Sequence, residues 1–260
     1  MILAVDIGNT NIVMGGFADG AMQFAVRLST DRSLEADQYA LELQGLLSLY
    51  GVDVHIVEGV VLSSVVPQVT DTVQRALQHL TGMRALLLSQ QLNTGVSVCI
   101  DRPAELGADL LAGAIGAKAR YRLPAIVIDM GTATKITAVS AEAAVLGCSI
   151  MPGVFISLNA LTGSASQLGG IAVQAPPRAV GTNTIHSMQS GVVFGAAAML
   201  DGMIDRFLDE MDETAENVTL LATGGAAGCI VPHCRHRIVH APRLILDGLY
   251  DVYCRTARQA

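Results

Sequence analysis

Three aspartates in this chain stand where a carboxylate can do chemistry: Asp6, Asp109 and Asp129. Asp6 lies near the end of the run Ile2-Leu3-Ala4-Val5 and is followed by Ile7-Gly8-Asn9-Thr10-Asn11. Asp129 ends the run Ala125-Ile126-Val127-Ile128 and is followed by Met130-Gly131-Thr132-Ala133-Thr134. The two stretches are copies of one pattern. Asp6 matches Asp129 and Gly8 matches Gly131, each 123 residues apart (129 − 6 and 131 − 8) in a chain of 260. A buried strand that delivers a carboxylate to its end, followed by a glycine turn with small donors, can hold a metal-bound phosphate. One Asp-x-Gly-Asn-Thr alone carries little, because Gly and Asn are ordinary hairpin residues. Its duplication points to nucleotide chemistry between two related lobes facing a cleft.

The elements that must position these groups follow from the hydrophobic pattern. In the first half, residues 12–17 and 22–29 read as antiparallel strands joined at Asp19-Gly20. A helix over residues 35–50 puts Ala36, Tyr39, Leu43, Leu46, Leu47 and Tyr50 on one face, with Gly51 as its stop. Val57 to Val65, closed by Pro67, reads as a strand buried on both faces. A helix from Val69 to Leu80, a strand from Arg84 to Ser89 and a helix from Glu105 to Tyr121 follow. The second half repeats the plan, with strands at 125–130, 134–140 and Val145–Ile150 and a helix from Val154 to Thr162. Residues 163–184, rich in Gly, Pro, Ser and Thr, are expected to form a functional loop. His186 to Met211 is a long helix, Val218 to Thr223 a strand ending in Gly224-Gly225, and Leu244 to Arg258 a terminal helix. The alternation predicts an α/β protein of two similar lobes, 1–120 and 121–260, dividing near residues 118–124.

Composition narrows the function classes. The chain is 51% apolar and 15% charged with a mean hydropathy of +0.47, which excludes long disorder and suggests a surface partly covered by another subunit. The longest apolar stretches, Val192 to Leu200 and Gly59 to Pro67, are far shorter than the ~20 residues of a membrane span. With no basic leader ahead of the first strand, a cytoplasmic protein without membrane attachment is the expectation. A net charge of −7 without a basic cluster larger than Arg235-His236-Arg237 argues against nucleic-acid binding. The five cysteines, 99, 148, 229, 234 and 254, show no C-x-x-C and fit reduced thiols. Cys229, His233, Cys234 and His236 are the one cluster of metal-ligand types, but their spacing matches no common zinc pattern, and a polar loop is the expectation there.

Taken together, Asp6-Ile7-Gly8-Asn9-Thr10-Asn11, Ser63-Ser64-Val65-Val66-Pro67, Gly107-Ala108-Asp109, Asp129-Met130-Gly131-Thr132-Ala133-Thr134 and Met188-Gln189-Ser190-Gly191 resemble the type III pantothenate kinases. The resemblance runs from Ile2 to about Tyr253 with the motifs in the family's order. It implies the actin-like ATPase superfamily fold, two ribonuclease H-like lobes with mixed five-stranded sheets. It also implies transfer of the ATP γ-phosphate to the primary hydroxyl of pantothenate, the first step towards coenzyme A. Carried over by position, Asp6, Gly8, Asn9, Thr10 and Asn11 would bind ATP phosphates, Asp6 would help to hold Mg²⁺, and Thr132 would contact ATP. Asp109 would be the general base, within an acceptor-binding element Gly107, Ala108, Asp109 and Leu110, and Thr184 would also contact the acceptor. Asp129 would bind the monovalent cation, K⁺ or NH₄⁺, that the family requires. A homodimer with the acceptor site near its interface is implied as well. Phosphoryl transfer agrees with this set of residues, since it needs positioning, cations on the phosphates and a group to take the hydroxyl proton.

Several positions depart from the family pattern. Leu110 stands where the family has an Arg that would contact the acceptor, and Ile100 where it usually has Tyr. Lys135 follows Gly131-Thr132-Ala133-Thr134 in place of Thr, and Gly147-Cys148-Ser149 replaces a Gly-Gly element. Losing a charge-assisted clamp on the carboxylate of pantothenate costs on the order of 1.5–3 kcal/mol. Lys135 and Arg102 are the cations that would compensate. The readings left standing are a pantothenate kinase with a rebuilt acceptor pocket, a small-molecule kinase with another acceptor, and a non-catalytic nucleotide-binding regulator.

Overall fold

The computed structural model describes residues 1–163 and 171–257, which fall into two compact units. The first holds β1 (Ile2–Ile7), β2 (Asn11–Ala18), β3 (Ala21–Ser29), α1 (Ala36–Leu49), β4 (Gly59–Ser64), α2 (Pro67–Thr81), β5 (Leu86–Leu87), β6 (Ser97–Val98) and α3 (Ala108–Arg120). The second holds β7 (Ala125–Met130), β8 (Ala133–Val139), β9 (Ala144–Pro152), α4 (Val154–Gly163), α5 (Thr184–Glu210), β10 (Thr219–Thr223), α6 (Ala227–Ile230) and β11 (Val239–His240). The last helix, α7 (Leu244–Ala257), belongs to the first unit.

The duplication seen around the two aspartates extends to the sheets. In the first unit the strand order is β3-β2-β1-β4-β5. β1 runs antiparallel to β2, β2 to β3, and β1 and β4 are parallel. Within the second unit the order is β9-β8-β7-β10-β11, again with two antiparallel pairs followed by parallel ones. β1 and β7 are the central strands, flanked on both sides, and this is why both read as continuous apolar runs. Leu3, Val5 and Ile7 enter one core with Tyr39, Leu43 and Leu47 of α1 and Val69, Val73 and Leu77 of α2. Ile126, Ile128 and Met130 enter the other, with Leu158 of α4 and Val193, Ala197, Leu200 and Ile204 of α5.

Local signals account for the helix ends. Glu35 and Gln38 form a reciprocal capping box at the start of α1. Tyr39 reaches back from α1 to donate its hydroxyl to the Asp31 carbonyl at 2.7 Å and accept from the Asp31 N–H at 2.9 Å. Pro67 begins α2, where its missing N–H costs nothing. Of the face expected on α1, Tyr39, Leu43 and Leu47 are buried while Tyr50 is exposed. Of the expected loop 163–184, residues 164–170 lie outside the described residues, and 171–183 carry neither helix nor strand.

The expected second lobe, 121–260, ends earlier than the sequence suggests. The second compact unit runs from Tyr121 to Arg243, and α7 returns to pack on α3. The physical reason is a glycine pair. A Cβ on Gly248 would sit 2.0 Å from the Ala112 carbonyl oxygen, and one on Gly116 would sit 2.1 Å from the Leu244 carbonyl oxygen. The two helix backbones are in direct contact, and only glycine at these two positions allows it. On the sheet side, Tyr250 of α7 stacks on Phe17 of β2 with ring centroids 4.4 Å apart.

In the second unit the segment after α6 is tied to α5. Asp201, nearly buried, accepts backbone N–H bonds from Arg235 (2.9 Å to each oxygen) and His236 (3.2 Å). His236 Nε2 lies 2.7 Å from Asp205 Oδ1. Cys229 is exposed, and Cys234 directs its thiol at the Ile230 carbonyl. Among the described residues no group of three or more His, Cys, Asp or Glu side chains is placed to hold a metal ion. Burial first, and the Asp201 carboxylate second, push the Cys234 thiol up to about 12.

Three measurements follow from these observations. Gly248→Ala is expected to destabilise the protein by about 3 kcal/mol in urea unfolding, because the helices must separate to admit the methyl group. Gly45→Ala, exposed in mid-α1 with no neighbour within 4 Å, should stabilise by about 0.5–1 kcal/mol. At alkaline pH the Cys234 proton is held more tightly in the folded chain than in the unfolded one, whose thiol titrates near 9.0. Its contribution is therefore complete below pH 9 and is lost as pH rises towards 12. Between pH 9 and 11 the melting temperature of the wild type should fall more steeply than that of Cys234→Ala.

Candidate functional site

In the first unit the site is built at the carboxyl ends of two parallel strands. Asp6 is half-buried, opposite Val13 of β2 on one side and Ser63 of β4 on the other. Ser63 is wholly buried and donates its hydroxyl to Asp6 Oδ1. This charge-assisted bond fixes the carboxylate in one orientation. Beyond it the chain turns through Gly8, Asn9 and Thr10. The turn is braced from β3: Thr30 donates its hydroxyl to the Gly8 carbonyl at 2.6 Å and its N–H to the Thr10 carbonyl at 2.9 Å. Gly8 N–H closes the turn on the Asn11 carbonyl at 2.9 Å. Asn9 and Thr10 are left exposed at the tip. Arg32 donates to Asn9 Oδ1 at 3.3 Å, which brings a cation to a loop expected to meet phosphates.

The Ser63-Ser64-Val65-Val66-Pro67 stretch divides its labour. Ser63 serves Asp6, while Ser64 accepts from the Val66 N–H at 3.1 Å and the Thr70 hydroxyl at 2.7 Å, tying the strand end to the first turn of α2. Val65 donates its N–H to the Ile7 carbonyl at 3.1 Å, which extends the β1–β4 ladder past both strands. The position of a Gly107 Cβ would be 3.8 Å from Val65 Cγ1 and 2.7 Å from Asp109 Oδ1. Glycine at 107 therefore leaves room for the Asp109 carboxylate, which a side chain there would meet. Asp109 is half-buried in the first turn of α3 and accepts the Leu110 N–H at 2.8 Å. Leu110 is only 8% exposed and begins the buried run of α3. Arg102 is exposed and pairs with Glu105 at 3.0 Å.

The second unit repeats the hairpin with different partners. Asp129 lies opposite Lys135 of β8 and Thr223 of β10. Lys135 Nζ is 2.9 Å from Asp129 Oδ2, with both side chains largely buried. Gly131 N–H closes the turn on the Ala133 carbonyl at 3.1 Å, and Thr132 stands exposed at the tip. The hairpin is hemmed on two sides by glycines. A Cβ on Gly153, between β9 and α4, would lie 2.1 Å from the Thr132 carbonyl oxygen. Gly224, at φ +89°, would place one 2.5 Å from the Met130 carbonyl carbon, and Ala226 N–H donates to the Met130 carbonyl at 3.2 Å. Gly224-Gly225 is thus a strand-end turn required by close backbone contact with β7.

Thr184 opens α5 and is exposed. Asn183 caps that helix through Oδ1, which accepts the His186 N–H at 2.9 Å. Within Met188-Gln189-Ser190-Gly191, Gln189 donates to the Ala172 carbonyl at 3.3 Å and Ser190 to the Ala179 carbonyl. This motif straps residues 171–183 onto α5. Beside Thr184 the strap leaves a cavity of about 110 Å³ lined by Pro177, Arg178, Val180, Gly181, Thr182 and His186. Arg32 and Arg178 are the cations that sequence reading passed over. Neither sits in a recognisable spacing, although Arg178 lies in the 163–184 segment expected to carry function.

The profile of the type III pantothenate kinase family matches residues 2–206. The chain is similar to a type III pantothenate kinase from Moorella thermoacetica, 38% identical over 98% of this chain and 99% of that one. Its likeness to the type III pantothenate kinase from Thermomicrobium roseum is also 38%, over 99% of this chain and 98% of that one. Among solved structures, component A of the (R)-2-hydroxyglutaryl-CoA dehydratase from Acidaminococcus fermentans superposes with a TM-score of 0.55 at 13% identity, covering 99% of this chain and 98% of that chain. That likeness is one of fold, the actin-like ATPase and sugar kinase architecture. With two sheets of one topology, a duplicated Asp-x-Gly hairpin and a full-length match to curated relatives, this chain belongs to the type III pantothenate kinase family.

Proposed function

We propose that this chain transfers the γ-phosphate of ATP to the primary hydroxyl of pantothenate, giving 4′-phosphopantothenate at the first step of coenzyme A synthesis. The observation that supports this reading lies in the first unit, where Ser63 orients Asp6 at the end of β1 and Gly107 leaves room for the Asp109 carboxylate at the start of α3. Asp109 accepts the proton of the acceptor hydroxyl as its oxygen attacks. Asp6 and the Gly8–Asn11 turn receive the phosphates, with Arg32 adding positive charge at Asn9. The donors at Asp6 fit Mg²⁺: a carboxylate and turn oxygens are the hard ligands this ion takes. When bound, the ion neutralises charge on the phosphoryl oxygens. Thr132 contacts the nucleotide from the second hairpin, and Asp129 serves as the site of a single positive charge.

The acceptor side supports a rebuilt pocket. Leu110 is buried, Arg102 is engaged by Glu105 and Lys135 by Asp129. Arg178 lines the cavity beside Thr184 in the second unit, and we assign it to the carboxylate of pantothenate. A second reading, a different acceptor, is favoured by the same burial of Leu110. In the second unit the exposed side chains Phe155, Ile156 and Leu161 of α4, with Ile150 and Ile185, suit a homodimer interface, to be measured by sedimentation. No described helix is long and apolar enough to cross a membrane; action in the cytoplasm is part of the proposal.

Asp109→Asn tests the base. Turnover of ATP with pantothenate should fall by roughly 10² to 10⁴ while ATP affinity changes less than about twofold. A variant that keeps turnover within a few-fold of wild type removes the role. For the pocket, Arg178→Ala should raise KM for pantothenate about tenfold with kcat little changed, as loss of one charge-assisted bond predicts. Leu110→Arg should lower stability by about 3 kcal/mol, since it buries an unpaired guanidinium, and should not tighten pantothenate binding. If wild type consumes ATP with another hydroxylated acceptor and not with pantothenate, the second reading takes over. Without turnover on any acceptor, the chain is a nucleotide-binding regulator.

A further inference from the structure

The family resemblance assigns Asp129 to a free monovalent cation, and the arrangement around that carboxylate does not fit one. Lys135 Nζ already lies 2.9 Å from Asp129 Oδ2, and the two side chains are only 16% and 14% exposed. The pairing is built into the sheet. Asp129 and Lys135 are direct cross-strand neighbours in the β7–β8 ladder, so their side chains rise on the same face within reach of each other. A K⁺ ion on the same oxygens would stand beside an ammonium in a largely dehydrated setting, where repulsion between like charges is strong.

The duplicate hairpin shows that the fold does not ask for this cation. At the equivalent register position opposite Asp6 the chain has Val13, and Asp6 is satisfied by the Ser63 hydroxyl instead. Lys135 is therefore a feature of the second hairpin alone. A primary ammonium carries the charge of K⁺ or NH₄⁺ in a group of similar size, with three N–H donors on a flexible stem. It is held one residue pair below Met130–Thr134, the last pair before the Gly131-Thr132 turn.

We infer that the Lys135 ammonium is a tethered replacement for the monovalent cation, so that nucleotide binding and turnover in this chain do not depend on K⁺ or NH₄⁺. The inference deepens the proposed function, resting on the reading of the 129–135 hairpin as part of the nucleotide site. It does not depend on the identity of the acceptor.

The test uses the intact protein in K⁺, NH₄⁺, Na⁺ and choline buffers of equal ionic strength. Calorimetry with Mg²⁺ and a non-hydrolysable ATP analogue reads binding, and ATP consumption with pantothenate reads turnover. Wild type should give the same Kd and rate in all four buffers within about twofold. Lys135→Thr, which restores the family residue, should bind the analogue at least tenfold more weakly in choline and recover in K⁺ or NH₄⁺. Thallium NMR, with Tl⁺ as the K⁺ probe, should report an ion bound to the variant and none displaced by K⁺ from wild type. Tenfold activation of wild-type binding by K⁺ overturns the inference, and that result needs no variant to fold. Indifference of a folded Lys135→Thr protein to all four cations overturns it too. If wild type binds the analogue alike in every buffer but leaves pantothenate unphosphorylated, the acceptor assignment fails and the tethered cation stands.

Discussion

A carboxylate at the end of a strand that is otherwise apolar and flanked on both sides sets the terms for the rest of this molecule. Such a group cannot be left without a partner once its strand is central in a sheet, because an unpaired charge there costs far more than the sheet gains. The ladder offers it only two neighbours. For Asp6 they are Val13 and Ser63, and the hydroxyl is used. For Asp129 they are Lys135 and Thr223, and the ammonium is used. The same backbone solution thus yields an oriented, negatively charged carboxylate in one hairpin and a neutralised pair in the other. An oriented anion attracts a metal-bound phosphate, and a neutral pair tolerates phosphate close by without adding negative charge.

Close backbone contacts make these positions rigid. The second hairpin is pressed between Gly153 and Gly224, neither of which could carry a side chain, so the Thr132 tip is held by main chain on two sides. The first is held differently, by the hydroxyl and N–H of Thr30 reaching from β3. In both, the bracing leaves the tip residues exposed while the turn itself is immobilised. A phosphate-binding turn needs this combination, since binding energy spent on ordering a loop is lost to affinity.

Much of this was legible in the sequence because it rests on local pattern. The central strands β1 and β7, the hairpins after them and helices α1, α2 and α5 follow from apolar periodicity and turn residues that the structure uses as written. The placement of Asp6 and Asp129 at strand ends was signalled by their repetition. Contacts made at a distance along the chain were not legible. Nothing in Leu244 to Ala257 distinguishes a helix that closes the second unit from one that returns to the first. The decision lies in Gly116 and Gly248, two glycines 132 residues apart (248 − 116) whose meeting no periodicity announces. Arg32 and Arg178 escaped notice for a related reason, since single arginines carry no spacing signal.

Lys135 was visible but its task was misjudged, and the reason is instructive about register. Read linearly, it is a new cation beside a phosphate turn, free to reach an acceptor. Read across the ladder, it is the residue opposite Asp129, and its charge is spent there. One fewer residue separates Asp129 from Lys135 than separates Asp6 from Val13, yet both pairs face each other, because the second turn is one residue shorter than the first. Turn length therefore decides which substitution in β8 can touch the carboxylate. A lysine at 134 would have pointed into the core occupied by Ile128 and Ile136, and at 135 it completes an ion pair.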